Sequence, residues 1–136
     1  MKYNDFKIGE VFSFRKKIAD LDGNAFAELT GDFNPIHSDN EFAKKSGFEK
    51  KIVHGMFAGS LFSTLIGMYC PGKHSLYLSQ TLNFKKPIFY GDELTIQGEI
   101  LSKNDSIKMI TLKTEILKEG KKVITGEAKV KVMNDE

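Results

Sequence analysis

Residues 52–68 of this chain read IVHGMFAGSLFSTLIGM, and this apolar stretch carries most of the information about the fold. Its large apolar residues recur close to helical spacing, which is typical of an α-helix with a buried face. These residues are Met56, Phe57, Leu61, Leu65 and Met68. The small residues Ala58, Gly59 and Ser60 lower helix propensity but let a sheet or a ligand approach closely. The stretch predicts one long, mostly buried helix.

The second half of the chain alternates apolar and polar residues, as strands do. The alternating sets are Leu76, Leu78, Leu82 and Phe84; Leu94, Ile96 and Ile100; Ile110, Leu112 and Ile116; and Ile124, Ala128, Val130 and Val132. Turns are predicted at Gly91–Asp92 and Glu119–Lys121. Gln80 falls in the apolar phase of the first strand, which favours a strand edge over a polar contact inside a cavity. With 136 residues, 40% of them hydrophobic, one domain over residues 1–136 is expected.

Residues 30–37, TGDFNPIH, bring a carboxylate, an amide and an imidazole around a rigid Asn-Pro step. On a helix the side chains of Asp32 and His37 would diverge by roughly 140°, and on a strand they would lie about 17 Å apart on opposite faces. A bent loop alone lets them converge. Asn34 is pushed toward extended geometry by Pro35, whose own φ is fixed. The segment predicts an acid/base site, against the alternative of an ordinary turn with a surface histidine.

Short helices are predicted on both sides of this loop. One would begin at Asp20–Asp22, run through Leu29 and end at Gly31. The other would open with a capping box at Ser38–Glu41, run through Lys45 and end at Gly47. Asp39 is therefore interpreted as structural.

The start of the long helix is a second candidate site element. The first-turn amides near Gly55 lack intrahelical acceptors and lie at the positive end of the helix dipole, where a developing negative oxygen would be stabilised. For Gly55 this oxyanion role is preferred to that of a flexible helix start. For His54, a packing role with satisfied nitrogens is favoured over a functional one.

The motif Gly31-Asp32-x-Asn34-Pro35-Ile36-His37-x-Asp39, followed by Val53-His54-Gly55-Met56, resembles the hydratase-2 motif of MaoC-like, (R)-specific enoyl-CoA hydratases. The similarity continues through 72–78, 84–88 and 91–94, and so covers nearly the whole chain. It implies an α+β hot-dog fold, in which a curved antiparallel β-sheet wraps around one long central helix, with short helices in an overhang segment and a substrate tunnel near a dimer interface.

The resemblance also implies residue roles and a reaction. Asp32 and His37 would be the catalytic pair, Asn34 would hold the loop, and the Gly55 amide would be the oxyanion donor. Pro35, His54 and Ser60 are expected to support the site. The reaction would be reversible addition of water to trans-2-enoyl-CoA, giving (R)-3-hydroxyacyl-CoA, with the coenzyme A thioester as substrate and no cofactor. Alternatives are a hot-dog acyl-CoA thioesterase and a noncatalytic acyl-CoA or acyl-carrier binding module.

The charge pattern and the remaining polar residues indicate which ligands and partners to expect. The net charge of +2 comes mostly from lysines dispersed among acids, without the clustering typical of nucleic-acid binding. The pairs Lys50/Lys51 and Lys85/Lys86 could meet coenzyme A phosphates, although a solvated surface is the favoured interpretation. No metal site is expected from His37, Asp39, His54, His74 and Cys70, and Cys70 is interpreted as a buried thiol. With no targeting or membrane signal, a cytoplasmic protein is expected, and unpaired sheet edges favour a homodimer or a higher homo-oligomer.

Overall fold

The computed structural model describes residues 1–133, which form an α+β structure built on one antiparallel sheet. The strands are β1 (Val11–Lys17), β2 (Ser75–Gln80), β3 (Asn83–Phe84), β4 (Glu93–Asn104), β5 (Met109–Lys118) and β6 (Lys121–Val132). The helices are α1 (Asp20–Thr30), α2 (Asn40–Lys45) and α3 (Gly55–Thr64), with short 3-10 turns at Tyr3–Asp5 and Pro35–His37. The strand order is β1-β4-β5-β6-β2, and β3 pairs with β6.

The three long strands confirm the alternation read from the second half of the chain. All the apolar residues predicted for β4, β5 and β6 are buried. The turn between β5 and β6 places Glu119 and Gly120 at φ of 50° and 76°, which is the backbone twist that tight antiparallel hairpins require. These strands form the centre of the sheet.

The edges of the sheet differ from the prediction. Leu76 and Leu78 are 44% and 48% exposed, and the single strand expected over 76–84 is two strands, β2 and β3. The register of β2 on β6 shifts between Tyr77 and Ser79. Tyr77 packs against the core, and since successive side chains of a strand point to opposite faces, Leu76 and Leu78 lie on the outer face of the sheet. Gln80 lies on the edge strand, as predicted, but its amide also donates to the hydroxyl of the buried Thr114 at 2.9 Å and lines a cavity, so the polar contact that was not favoured is present too. The sequence analysis missed β1, whose Phe12 and Phe14 face the core while Arg15 and its neighbours obscure the pattern.

The predicted central helix is present as α3, continued by one wider π-helical turn over Leu65–Tyr69. Its buried residues pack against the sheet in the larger of two core clusters. The helix contributes Ala58, Leu61, Phe62 and Leu65, and the strands contribute Leu94, Ile96, Ile116, Val123 and Ile124. Met56 and Met68, expected in the buried stripe, are exposed, because the buried face is centred on the 58, 61, 62, 65 positions. Among the described residues, no helix is long and apolar enough to cross a membrane.

The segment between β1 and α3 carries the two predicted short helices. α1 ends at Gly31, which adopts the left-handed conformation (φ 81°) and donates its N–H to the Ala27 carbonyl at 2.8 Å, an arrangement that glycine adopts without strain. The capping box starting at Ser38 is wrong: Asp39 is the N-cap of α2, and its Oδ1 accepts from Glu41 N–H at 2.9 Å and Phe42 N–H at 3.2 Å. Ser38 instead closes the preceding 3-10 turn. A structural role for Asp39 is confirmed.

Candidate active site

The loop between α1 and α2 is shaped by three successive short-range hydrogen bonds of one kind. The side-chain oxygens of Thr30, Asp32 and Asn34 each accept from the backbone N–H two residues further on, at 3.2, 3.2 and 3.1 Å. Such side-chain bonds replace the helical bonds that Asp, Asn and Thr disfavour. Asn34 therefore holds the loop, as predicted, and caps the 3-10 turn in which Pro35 occupies the first position.

The bent loop brings the predicted acid/base pair together. His37 Nε2 lies 4.0 Å from Asp32 Oδ2, and the side chains are 14% and 47% exposed, respectively. Convergence in a bent loop is confirmed. The carboxylate is more open to solvent than the imidazole.

The orientation of His37 is set by the chain on its other side. Its Nδ1 lies 2.9 Å from the Ile52 carbonyl, and since a carbonyl only accepts, Nδ1 carries the proton. Ile52 N–H in turn donates to the Ile36 carbonyl at 3.1 Å. The ring thus presents Nε2 to Asp32.

Tyr90, which the sequence analysis did not identify, holds the backbone of the same residue. Its hydroxyl donates to the His37 carbonyl at 3.2 Å. Burial, together with the charge of Asp20, raises the pKa of Tyr90, so the hydroxyl keeps its proton. The available signal was Gly23, a glycine inside α1: a methyl group there would overlap the Tyr90 hydroxyl.

His54 lies beneath the pair and is almost fully buried, with 3% exposure. Its Nε2 lies 3.1 Å from the Asp32 carbonyl, and its ring stacks on His37 with centroids 3.9 Å apart. Within residues 1–133, its Nδ1 has no hydrogen-bond partner. The interpretation of His54 as a packing residue is confirmed by its burial and ring contacts. The expectation that both nitrogens are satisfied is wrong, because only Nε2 has a partner within the described residues.

Two cavities meet at His37. The larger, of about 370 Å³, is lined mainly by apolar side chains and reaches Gly55 at the start of α3. The smaller, of about 200 Å³, is lined by Asp32, Asn34, His54 and Tyr90 among others. The imidazole therefore borders two cavities, of which the smaller is the more polar.

The remaining predicted residues divide between this site and other surfaces. Lys85 and Lys86 line the larger cavity, whereas Lys50 and Lys51 line a separate one with Asp20. Lys51 Nζ is paired with Asp20 at 3.1 Å. Ser60 does not support the site: its hydroxyl donates to the Phe57 carbonyl at 2.5 Å and it lines a different cavity, because its position on α3 turns it away from Gly55.

The site also contains three side chains of metal-ligating type. One ligand atom from each of Asp32, His37 and His54 lies within 4.8 Å of the others. Nitrogen lone pairs lie in the ring plane, and the two rings are stacked 24° from parallel. Two such rings cannot both direct a lone pair at one ion at the ~2.0–2.1 Å of a zinc–nitrogen bond. The arrangement fits hydrogen-bonded acid/base chemistry better than metal binding.

Comparison of the sequence with known protein families identifies the family of this chain. The family described as MaoC like domain matches residues 5–122. The chain belongs to the MaoC-like family. Its MaoC-like domain contains the loop, the imidazole stack and the start of α3 described above.

Two relatives share almost the full length of this MaoC-like chain. The (R)-specific enoyl-CoA hydratase of Aeromonas caviae is 42% identical over 133 residues, which cover 97% of this chain and 99% of that protein. The solved structure of the (R)-hydratase from A. caviae superposes with a TM-score of 0.89, covering 93% of this chain and 97% of that one at 43% identity. The R-hydratase PhaJ1 of Pseudomonas aeruginosa gives 0.90 at 34% identity, over 98% and 86% of the chains. The predicted hot-dog fold is confirmed.

Proposed function

We propose that this chain is an (R)-specific enoyl-CoA hydratase, which reversibly adds water to trans-2-enoyl-CoA to give (R)-3-hydroxyacyl-CoA. The observation that carries the proposal is the 4.0 Å approach of Asp32 and His37 at the border of a mainly apolar cavity that also reaches Gly55. The names of the A. caviae and P. aeruginosa relatives support the reaction and its stereochemistry.

The pair is arranged to hold the nucleophile. Asp32 Oδ2 and His37 Nε2 both accept hydrogen bonds when the imidazole is neutral with its proton on Nδ1. A water between them donates one hydrogen to each and directs an oxygen lone pair outward. As this oxygen bonds to the β-carbon, the pair removes one proton from the water and returns one proton to the α-carbon, so that the elements of water are added.

The thioester oxygen gains negative charge in this step, and the start of α3 supplies a donor for it. Gly55 is the first residue of α3 and lines the same cavity as His37. Its backbone N–H has no intrahelical acceptor and lies at the positive end of the helix dipole. Positioned acid/base groups typically contribute ~10²–10⁴-fold to the rate, and one oxyanion donor ~10²–10³-fold.

The acyl thioester occupies the larger cavity in this proposal. Lys85 and Lys86 at its rim meet the phosphates of coenzyme A, which is part of the substrate; no cofactor is needed. Lys50 and Lys51, in their separate cavity, are less suited to this contact because Lys51 is already paired with Asp20. The nucleotide end of coenzyme A has to extend beyond the cavity that contains His37.

The chain also forms a homodimer in this proposal. β2 is an edge strand whose outward residues Leu76 and Leu78 are both exposed. An edge strand with apolar side chains pairs readily with another chain, and closed twofold dimers are the commonest homo-oligomers. A second copy pairing along β2 would extend the sheet and place its own side chains beside both leucines.

Hydration of crotonyl-CoA by Asp32→Asn and by His37→Ala tests the catalytic assignment. We expect kcat to fall at least about a hundredfold in each variant, measured as loss of the enoyl absorbance, with unfolding temperatures close to that of the unchanged chain. Asp39→Asn is the matched control, because asparagine also caps helices well, and it should leave kcat within about threefold.

Near-normal turnover in both Asp32→Asn and His37→Ala would contradict the assignment. The same assay separates the alternative functions. Loss of enoyl absorbance without release of free thiol indicates a hydratase, and release of thiol indicates a thioesterase. Binding of the thioester without either change indicates a noncatalytic acyl-CoA or acyl-carrier module.

A further inference from the structure

His54 contacts both members of the acid/base pair through different parts of one ring. Its Nε2 lies 3.1 Å from the backbone carbonyl of Asp32, and its face stacks on the imidazole of His37 at 3.9 Å. The ring also makes an edge-to-face contact with Phe26, with centroids 4.9 Å apart. The ring is thus fixed from α1 as well as from the loop.

The hydrogen bond determines the tautomer of His54. Because the Asp32 carbonyl can only accept, Nε2 carries the proton and donates. Nδ1 is then a lone-pair acceptor, which is buried and unpartnered within the described residues. Burying such an acceptor destabilises the fold, whereas a phenylalanine ring would fill the space and stack without that cost. The Nε2–H group is what distinguishes histidine from phenylalanine at this position.

His54 is also the residue immediately before Gly55 and serves as the N-cap residue of α3. One residue therefore connects the acid/base loop, through Nε2, with the start of α3, through its own backbone. A shift of the loop relative to α3 would change the distance from the water-holding pair to the Gly55 N–H.

We infer that His54 is a positioning residue for the hydration reaction: its Nε2–H fixes the backbone of Asp32 relative to His37 and Gly55. This inference rests on the proposed function. The Nε2 bond keeps Asp32 Oδ2 at the distance from His37 Nε2 at which one water contacts both. The His54 ring supports the imidazole of His37 by stacking on it, so His54 acts on the reaction through the position of the pair.

Two substitutions separate the donor from the ring. His54→Phe keeps a stacked ring and removes the donor, whereas His54→Gln removes the ring and places an amide N–H near the position of Nε2. We expect kcat for crotonyl-CoA to fall about 10- to 100-fold in His54→Phe, since small misplacements of reacting groups cost this much, with KM within about threefold. His54→Gln should recover kcat to within about fivefold of the unchanged chain.

The control is His74→Gln, the same substitution in the turn before β2, which should change neither constant. A His54→Phe variant that keeps its kcat would overturn the inference. So would equal losses in His54→Phe and His54→Gln, because the ring and not the donor would then be required.

A measurement without substrate covers the case in which the variants do not fold. Two-bond ¹H–¹⁵N correlations of the imidazole rings in the unchanged protein should show neutral His54 protonated on Nε2 and neutral His37 protonated on Nδ1. The opposite tautomer at His54 would overturn the inference. If these tautomers are found but the chain hydrates no enoyl-CoA, the proposed function fails and the tie between His54 and Asp32 stands.

Discussion

Asp32 and His37 each use one polar atom to hold the loop and leave the other free for chemistry. Asp32 accepts from Asn34 N–H through Oδ1, which leaves Oδ2 facing the imidazole. His37 donates to the Ile52 carbonyl through Nδ1, which leaves Nε2 facing the carboxylate. The pair is therefore positioned by its own hydrogen bonds, and the proposed reaction would need little reorganisation of these side chains.

Some site residues could be predicted from the sequence and others could not. The spacing of Asp32 and His37, with Asn34 and Pro35 between them, was enough to predict a bent loop and their convergence. The roles of His54 and Tyr90 depend on contacts to residues 22 and 53 positions away in sequence. Local preferences do not encode such contacts, so the unpaired nitrogen of His54 became visible only in the folded chain.

The single cysteine gives a prediction at this scale. Burial, with a smaller contribution from the charge of Glu10, raises the pKa of the Cys70 thiol to about 12. Because the thiolate is the reactive form, Cys70 should not react with a disulfide reagent at pH 8 in the native protein. One equivalent should react in denaturant, counted by absorbance. Rapid labelling of the native protein would contradict the burial of this thiol.

At the scale of elements, prediction succeeded where one packing partner dominates. β4, β5 and β6 have long alternating patterns because each has two neighbouring strands and one face against the core. In the edge strand β2 the alternation was predicted in the wrong phase, because Tyr77 faces the core and the two leucines beside it face outward. α3 and the π-helical turn after it contain more apolar residues than the sheet can cover. Helical spacing alone therefore predicted Met56 and Met68 to be buried, whereas both are exposed.

The pairing of β5 and β6 contains a buried carboxylate that makes stability depend on pH. Glu115 is 6% exposed, and its carboxylate lies 2.9 Å from Lys122 Nζ and 3.7 Å from Lys113 Nζ. Burial alone would raise the pKa of Glu115, but the hydrogen bond to Lys122 and the two lysine charges together lower it. Since the pKa is lower in the folded than in the unfolded chain, the stabilisation is complete above the unfolded value and is lost as the pH falls through the folded one.

Lys122→Met should therefore lower the free energy of unfolding at pH 7 by about 1–2 kcal/mol, between the values for exposed and buried ion pairs. The difference from the unchanged chain should shrink as the pH falls below 4.5, the ordinary value for this carboxyl group. Urea titrations at several pH values measure it. Lys131→Met, an exposed lysine of the same strand, is the control, and a pH-independent loss in Lys122→Met would contradict the ion-pair explanation.

The whole molecule presents an unpaired edge at β2, where the dimer was proposed. Sedimentation equilibrium should give twice the 15.3 kDa mass of one chain, because burying Leu76 and Leu78 removes apolar surface from water. The double variant Leu76→Lys, Leu78→Lys should sediment as a monomer, since two buried ammonium groups would face their copies. Ile107→Lys, an exposed apolar residue in the turn between β4 and β5, should remain dimeric. A monomeric unchanged chain would exclude the dimer.

The position of His37 between two cavities has a consequence for inhibitors. A fatty acyl analogue that fills only the 370 Å³ cavity leaves the smaller, more polar cavity of 200 Å³ unfilled. A compound that joins an apolar arm to a short hydrogen-bonding arm would pass the imidazole and occupy both. The inhibition constant in such a series should depend on the polar arm as strongly as on the length of the apolar arm. The two arms could then be optimised independently, one on each side of His37.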